Sequence, residues 1–380
     1  MKKSLKIGIV LNYKSAEKKK DELLSINSKK MKWLSLADDP KYNELVVRKK
    51  KANSEKVGKY VPADVAIGLY IEYHYPNIEV DYIQPDEIST ARFKENTIVF
   101  IIIYDLLEAF HLADKLKFKK FKAALKNSNN VYPPYKYQKF INNKCNYYKY
   151  LDNKGIPVAP THCVSKEKLF KKSPNNYVNK LLSKIKSNKW ESVIAKPVYG
   201  QESKDFSKFL ANPDGLECQK KKMLKYFRRN IPKYKSIVIQ EYIKGFDKNN
   251  PEIRTYYING KYMYSIVTTS TKVESPIQEG GKYKIPQKTW NYAKKLSMRT
   301  MKALPKFNMC GNHKNPILTR IDIGTGLQGV PHEMFINEVE FVPSLYVEDQ
   351  KNPVIEKIAE SLKDVGEIYH RCKLPIKVKF

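Results

Sequence analysis

Arg320-Ile-Asp322 and, further along, Asn337-Glu338-Val-Glu340-Phe-Val-Pro343 are the two segments on which the fold of this chain turns. Each alternates polar and apolar residues, the pattern of a strand with one face in a core. Residues i and i+2 of a strand share a face. Glu338 and Glu340 therefore lie together, and Asp322 joins them if the two strands are neighbours. Three carboxylates so placed are hard oxygen ligands, suited to Mg²⁺ held against phosphate. A solvated strand face is the alternative reading of the same residues. Against it stands the composition, 71 Lys+Arg and 39 Asp+Glu for a formal charge of +32. An acidic cluster in so basic a chain is the most informative local feature.

Working back from these strands, Glu252-Ile-Arg254 puts an acid and an arginine on one strand face. Ile239-Gln-Glu-Tyr-Ile243 is the end of an apolar strand turning polar, able to offer backbone groups to a purine edge. Ser192-Val-Ile-Ala-Lys196 is a strand that delivers a lysine to the loop Pro197–Lys204, which contains Gly200 and Ser203. Backbone N–H groups of such a loop cradle oxygens while the ammonium adds a point charge. Taken alone, Lys196 reads as a surface lysine before a turn. Lys144 to Leu151 reads as a short helix that stops at Lys154-Gly155-Ile-Pro157, with Gly then Pro as stop signals.

In this order the segments resemble the ATP-grasp superfamily over roughly residues 131–350. Lys144…Gly155-Ile-Pro-Val-Ala-Pro160 resembles its lysine–helix–GIPxP element, and Ile194-Ala-Lys196-Pro197 its second lysine. Asp322 with Asn337-Glu338-Val-Glu340 resembles its magnesium strands. The resemblance implies ATP and Mg²⁺ as cofactors. It implies that Lys144 and Lys196 bind α- and β-phosphates, with Gly200 and Ser203 in the covering loop. Gln240, Glu241, Tyr242 and Ile243 would hold adenine, mostly through backbone groups, and Glu252 would sit near the ribose. Asp322, Glu338 and Glu340 would ligate magnesium, and Arg254 and Arg320 would stabilise the transferred phosphoryl or an acyl phosphate. Two departures stand out: Glu340 occupies a position where the family usually has Asn, and the loop at Gly200 has a single glycine.

The fold expected is mixed α+β and α/β, an ATP-grasp fold preceded by a small Rossmann-like α/β domain. Residues 1–126 form that first domain, with strands at Leu5–Leu11, Val65–Ile71, Ile78–Ile83 and Ile98–Tyr104 and a lysine-rich helical insertion or arm at about 14–59. Residues 127–236 form the small ATP-grasp subdomain. Residues 237–380 form the large one, with the magnesium strands and a C-terminal helix. The 380 residues are too apolar (42% hydrophobic) for a disordered chain. The longest apolar run is far short of a membrane span, and the opening residues carry no signal-peptide core. A cytoplasmic protein without membrane contact is expected. The five scattered cysteines form no metal or disulfide pattern and read as idle thiols in a reducing compartment.

The positive surface favours anionic partners, a small molecule or an acidic peptide, and leaves non-specific nucleic-acid contact open. Three functions follow. One is a ligase that makes an acyl phosphate and joins it to an amine or thiol. The second is a kinase of a phosphorylated small molecule such as an inositol phosphate. The third is a non-catalytic basic protein that keeps the fold. Neither oligomeric state nor the acceptor substrate is legible.

Overall fold

A computed structural model describes residues 4–12, 23–50, 57–170, 173–199, 205–210, 216–244, 251–268, 285–345 and 353–380. Gly200 and Ser203, and with them the proposed covering loop, lie outside the described residues.

Strands are numbered along the chain. The first sheet is parallel, in the order β5-β1-β6-β7: β1 Leu5–Val10, β5 Ile78–Ile83, β6 Ile98–Phe100 and β7 Val131–Tyr132. Its inner strand β6 is wholly apolar and buried, as a sheet covered on both faces requires, while the edge strand β5 alternates. Beside it, β2 Leu23–Ser25, β3 Val47–Lys50 and β4 Val57–Pro62 pair antiparallel. The lysine-rich insertion is thus helical only in 3₁₀ segments among its described residues, and otherwise strand. It is a small sheet with two 3₁₀ segments, Lys32–Asp38 and Pro40–Leu45. Trp33 and Leu34 anchor it in the main core.

A second expectation also fails. Val65–Ile71 is not a strand but lies within the helix Ala63–His74. Nearly every side chain of that stretch is buried, and the helix packs against Val354–Cys372. An apolar run covered on all sides has no polar face to reveal its period.

The small sheet has the order β10-β9-β11-β8: β8 Thr161–Ser165, β9 Ser192–Pro197, β10 Ser207–Leu210 and β11 Ser236–Glu241, antiparallel throughout. The helices Pro174–Ser187 and Leu216–Tyr234 close over it, and together they hold a separate core around Phe227, Ile237 and Val178. The large sheet is β13-β12-β16-β17: β12 Glu252–Ile258, β13 Lys261–Thr268, β16 Leu318–Gly324 and β17 Phe335–Glu340. β12 and β13 form a hairpin, its two-residue loop Asn259-Gly260 at φ 51° and 76°, the left-handed geometry that Asn-Gly favours. A third small sheet joins β14 Lys306–Met309 to β15 Asn312–Lys314 and β18 Lys377–Lys379. The helix Val354–Cys372 lies against β1, β6 and β12 and so joins the first and large sheets into one core. Sheet membership runs past residues 126 and 236, since β7 completes the first sheet and β11 belongs to the small one.

Four of the five cysteines are paired, Cys145 with Cys163 and Cys310 with Cys372, and Cys218 alone is free. This corrects the reading of idle thiols. Both pairs are separated in sequence, by 18 and 62 residues, and only the folded chain brings them together. No helix among the described residues is long and apolar enough to cross a membrane.

Candidate nucleotide and metal site

The pairing of the large sheet assembles the site. Arg254 on β12 stands opposite Asp322 on β16, which stands opposite Glu338 on β17. One step along, Tyr256, Arg320 and Glu340 form a parallel row. The side chains of both rows share a face. Ligand oxygens of Asp322, Glu338 and Glu340 all lie within 4.8 Å of one another. Three anionic oxygens at that spacing fit one hard divalent cation such as Mg²⁺.

Arginines neutralise part of this charge. Arg320 donates to both oxygens of Asp322, Nε to Oδ1 and Nη2 to Oδ2, each at 2.8 Å. The same Nη2 reaches Glu340 Oε1 at 2.7 Å. Arg320 is only 5% exposed and Asp322 1%, so neither charge is left to water. Arg254 pairs through Nε with Glu252 at 2.8 Å and lies 3.8 Å from Asp322. Glu252 also accepts from Asn337 Nδ2 at 2.7 Å. Glu252 is thereby buried inside this network.

The two lysines approach from elsewhere. Lys144 opens the helix Lys144–Asn153, capped by the side chain of Asn143, which accepts from the backbone N–H of Asn146. Its Nζ lies 2.9 Å from Glu338 Oε1. Lys196 projects from β9, and its Nζ donates to the Tyr148 hydroxyl at 3.1 Å. Burial pushes the Glu338 carboxyl up, but Lys144 and Lys196 outweigh it and hold the group at about 2. Glu340 goes the other way. Burial raises it, Arg320 opposes, and the carboxylates of Glu338 and Asp322 add to the rise, to about 7. Glu252 is also raised, by burial and then by Asp322, against the pull of Arg254. One cluster thus holds carboxyls tuned in opposite directions, which is common where charge chemistry is done.

The segment Gln240–Ile243 leaves the small sheet beside this cluster. The Gln240 side chain is buried against Thr161 Oγ1 at 3.0 Å. The backbone N–H groups of Glu241 and Tyr242 bond to Pro160 O and Ser192 O. Ile243 packs beside Ala159, Leu327 and Phe335, an apolar patch shared by the two sheets.

Tyr148 was not picked out in the sequence, and Asn337 was quoted there without a role of its own. Tyr148, one helical turn after Lys144, donates its hydroxyl to Asn337 O at 2.6 Å. Asn337 is the extra residue where the β16–β17 register shifts, between the pairs Asp322–Glu338 and Ile323–Ile336. The i, i+4 spacing of Lys144 and Tyr148 was a usable signal, since such residues share one face of a helix.

No protein-family model and no curated protein matches the chain. Solved structures do. D-cycloserine synthetase DcsG is similar over 95% of this chain and 99% of its own, with TM-score 0.58 at 13% identity. D-alanyl-alanine synthetase A from Vibrio cholerae covers 97% and 99%, with TM-score 0.55 at 12% identity. VanG D-Ala:D-Ser ligase from Enterococcus faecalis covers 96% and 100%, with TM-score 0.52 at 11% identity. The likeness extends over nearly the whole of each chain. The chain shares its fold with these three proteins.

Proposed function

We propose that the protein is an ATP- and Mg²⁺-dependent ligase that forms an acyl phosphate on a carboxylate substrate and passes the acyl group to an amine or thiol. The observation that carries this reading is the convergence on Glu338. Lysines from two different elements, Lys144 and Lys196, meet a carboxylate trio borne on neighbouring strands. Phosphoryl transfer asks the protein for positioning and charge stabilisation, and cations converging beside hard oxygen ligands supply both.

In this reading Asp322, Glu338 and Glu340 would hold Mg²⁺, which would neutralise the nucleotide phosphates. Lys144 would exchange Glu338 for phosphate oxygens, and Lys196 would reach them from beside Tyr148. The apolar patch of Ile243, Ala159, Leu327 and Phe335 takes the flat face of the base, and the backbone leaving Gln240 lines its edge. Arg254, at the border of the carboxylate cluster, stabilises negative charge on the transferred group. The buried Arg320 acts mainly by holding Asp322 and Glu340 in place.

Calorimetry with Mg·ATP, followed by ADP release on supplying amino acids, acidic peptides or inositol phosphates, tests the proposal. Binding of Mg·ATP with turnover only when both a carboxylate and an amine or thiol are present supports the ligase. Turnover on an inositol phosphate alone points to the kinase. A wild type that ignores Mg·ATP overturns the reading.

A further inference from the structure

Tyr148 has a place in the molecule that its sequence position does not announce. It is buried, with its ring 4.6 Å from that of Tyr147. Its hydroxyl stands between two elements that must act together. As donor it reaches the carbonyl of Asn337 at 2.6 Å, and as acceptor it receives the ammonium of Lys196 at 3.1 Å. A phenol has one proton to give. Once that proton is committed to the carbonyl, an oxygen lone pair is left pointing towards Lys196. The direction of both bonds is then fixed.

Asn337 sits immediately before Glu338 at the register shift of β17, and Lys196 belongs to the small sheet. A single hydroxyl therefore ties the small-sheet lysine to the strand that carries a candidate metal ligand. Lys144, one turn earlier on the same helix, grips Glu338 itself. The helix Lys144–Asn153 thus docks on Asn337 and Glu338 through two neighbouring side chains, one charged and one neutral. An ammonium has three N–H bonds, so Lys196 keeps two to offer to phosphate oxygens.

We propose that Tyr148 is a positioning residue, which orients the Lys196 ammonium toward the nucleotide phosphates and sets its distance from Glu338. The proposal rests on the nucleotide-binding reading above. It predicts a specific loss on Tyr148→Phe, which keeps the buried ring and removes only the hydroxyl. Mg·ATP should bind about tenfold more weakly, the size expected for losing a hydrogen bond to a charged group. Because Tyr148 acts through Lys196, the same change made on a Lys196→Ala background should cost almost nothing more.

The experiment combines calorimetry on the four proteins of this cycle with a measurement that needs no nucleotide. In the latter, all are treated with a lysine-acylating reagent and the rate at each lysine is read by mass spectrometry, with the exposed Lys186 as internal reference. Released from Tyr148, Lys196 should label at least about threefold faster in Tyr148→Phe than in wild type. Lys196 labelling unchanged by the substitution overturns the proposal, whether or not the wild type binds ATP. So does an equal loss of binding on both backgrounds, which would mean that the hydroxyl merely supports the fold. A wild type that ignores Mg·ATP but shows faster Lys196 labelling in the variant would remove the nucleotide reading and keep Tyr148 as the residue that orients Lys196.

Discussion

Lys144 Nζ lies 2.9 Å from Glu338 Oε1, a lysine at the start of a helix held by a carboxylate on β17, the edge strand of the large sheet. With Lys196 also near, the pair keeps the Glu338 carboxyl at about 2 despite its burial. A carboxyl held below its unfolded value of roughly 4.3 adds stability above that pH, and the contribution is lost as pH falls towards the folded value. Glu338→Gln has no such proton to take up. In chelator, its stability to urea should fall less steeply than that of wild type between pH 5 and pH 3. Equal slopes would mean that the ion pair is not formed in solution.

Arg320 and Asp322 make a different kind of pair, with two parallel bonds and almost no solvent. Removing one partner of a buried pair strands the other charge, at a cost of about 3–5 kcal/mol. Asp322→Ala should lie near the low end, about 3 kcal/mol, because Glu340 still accepts from Arg320. Replacing both, Arg320→Met with Asp322→Leu, should recover most of that loss in urea unfolding, since apolar pairs often substitute for buried ions. Mg·ATP binding should stay absent in the double variant. Recovered binding would show that neither residue serves the metal site.

How much of this was legible in the sequence depends on what each residue had to announce. The rows Arg254–Asp322–Glu338 and Arg320–Glu340 could be read because strand alternation fixes faces locally, and only the neighbour relation had to be guessed. Lys196 and Lys144 stood out by their distance from recognisable stop and turn signals. Tyr148 stood out less: its i, i+4 spacing puts it on the helix face of Lys144, but its bond to the carbonyl of Asn337, far away in sequence, has no local pattern. The Val65–Ile71 helix was misread for want of a polar face. The lysine-rich segment was misread because its few apolar residues serve the main core rather than one of their own.

The cysteines were misread for the same reason of distance, and they give a direct check. Denatured without reductant, the protein should titrate one thiol, Cys218, and after reduction five. Five thiols before reduction would restore the reading of idle cysteines. In the chain-entropy view, closing loops of these lengths stabilises by about 3–4 kcal/mol each. Reduction should therefore lower the melting temperature, and Cys145→Ser alone should account for part of the drop.

Glu340 is one of the two points at which the sequence departs from the ATP-grasp pattern it resembles, and its chemistry says what the departure does. Burial and two neighbouring carboxylates raise its carboxyl to about 7, against Arg320. A carboxyl raised above its unfolded value of roughly 4.3 contributes stability that is complete below that value and is lost as pH rises through the folded one. Wild type without metal should accordingly lose stability between about pH 5 and pH 8. Glu340→Asn removes the titrating group, so its stability relative to wild type should improve steadily across that window in chelator. A flat difference would show that Glu340 is ionised throughout, with Arg320 prevailing over burial. In the proposed metal site the amide oxygen could still ligate, with Asp322 and Glu338 beside it. Mg·ATP affinity at pH 8 should then change by less than about tenfold, near 1.4 kcal/mol, whereas Glu338→Gln should lose far more. If Glu340→Asn abolishes binding at a pH where the variant is at least as stable as wild type, the third carboxylate is an obligatory ligand, and the fold here works with a more acidic metal site than the resemblance implies.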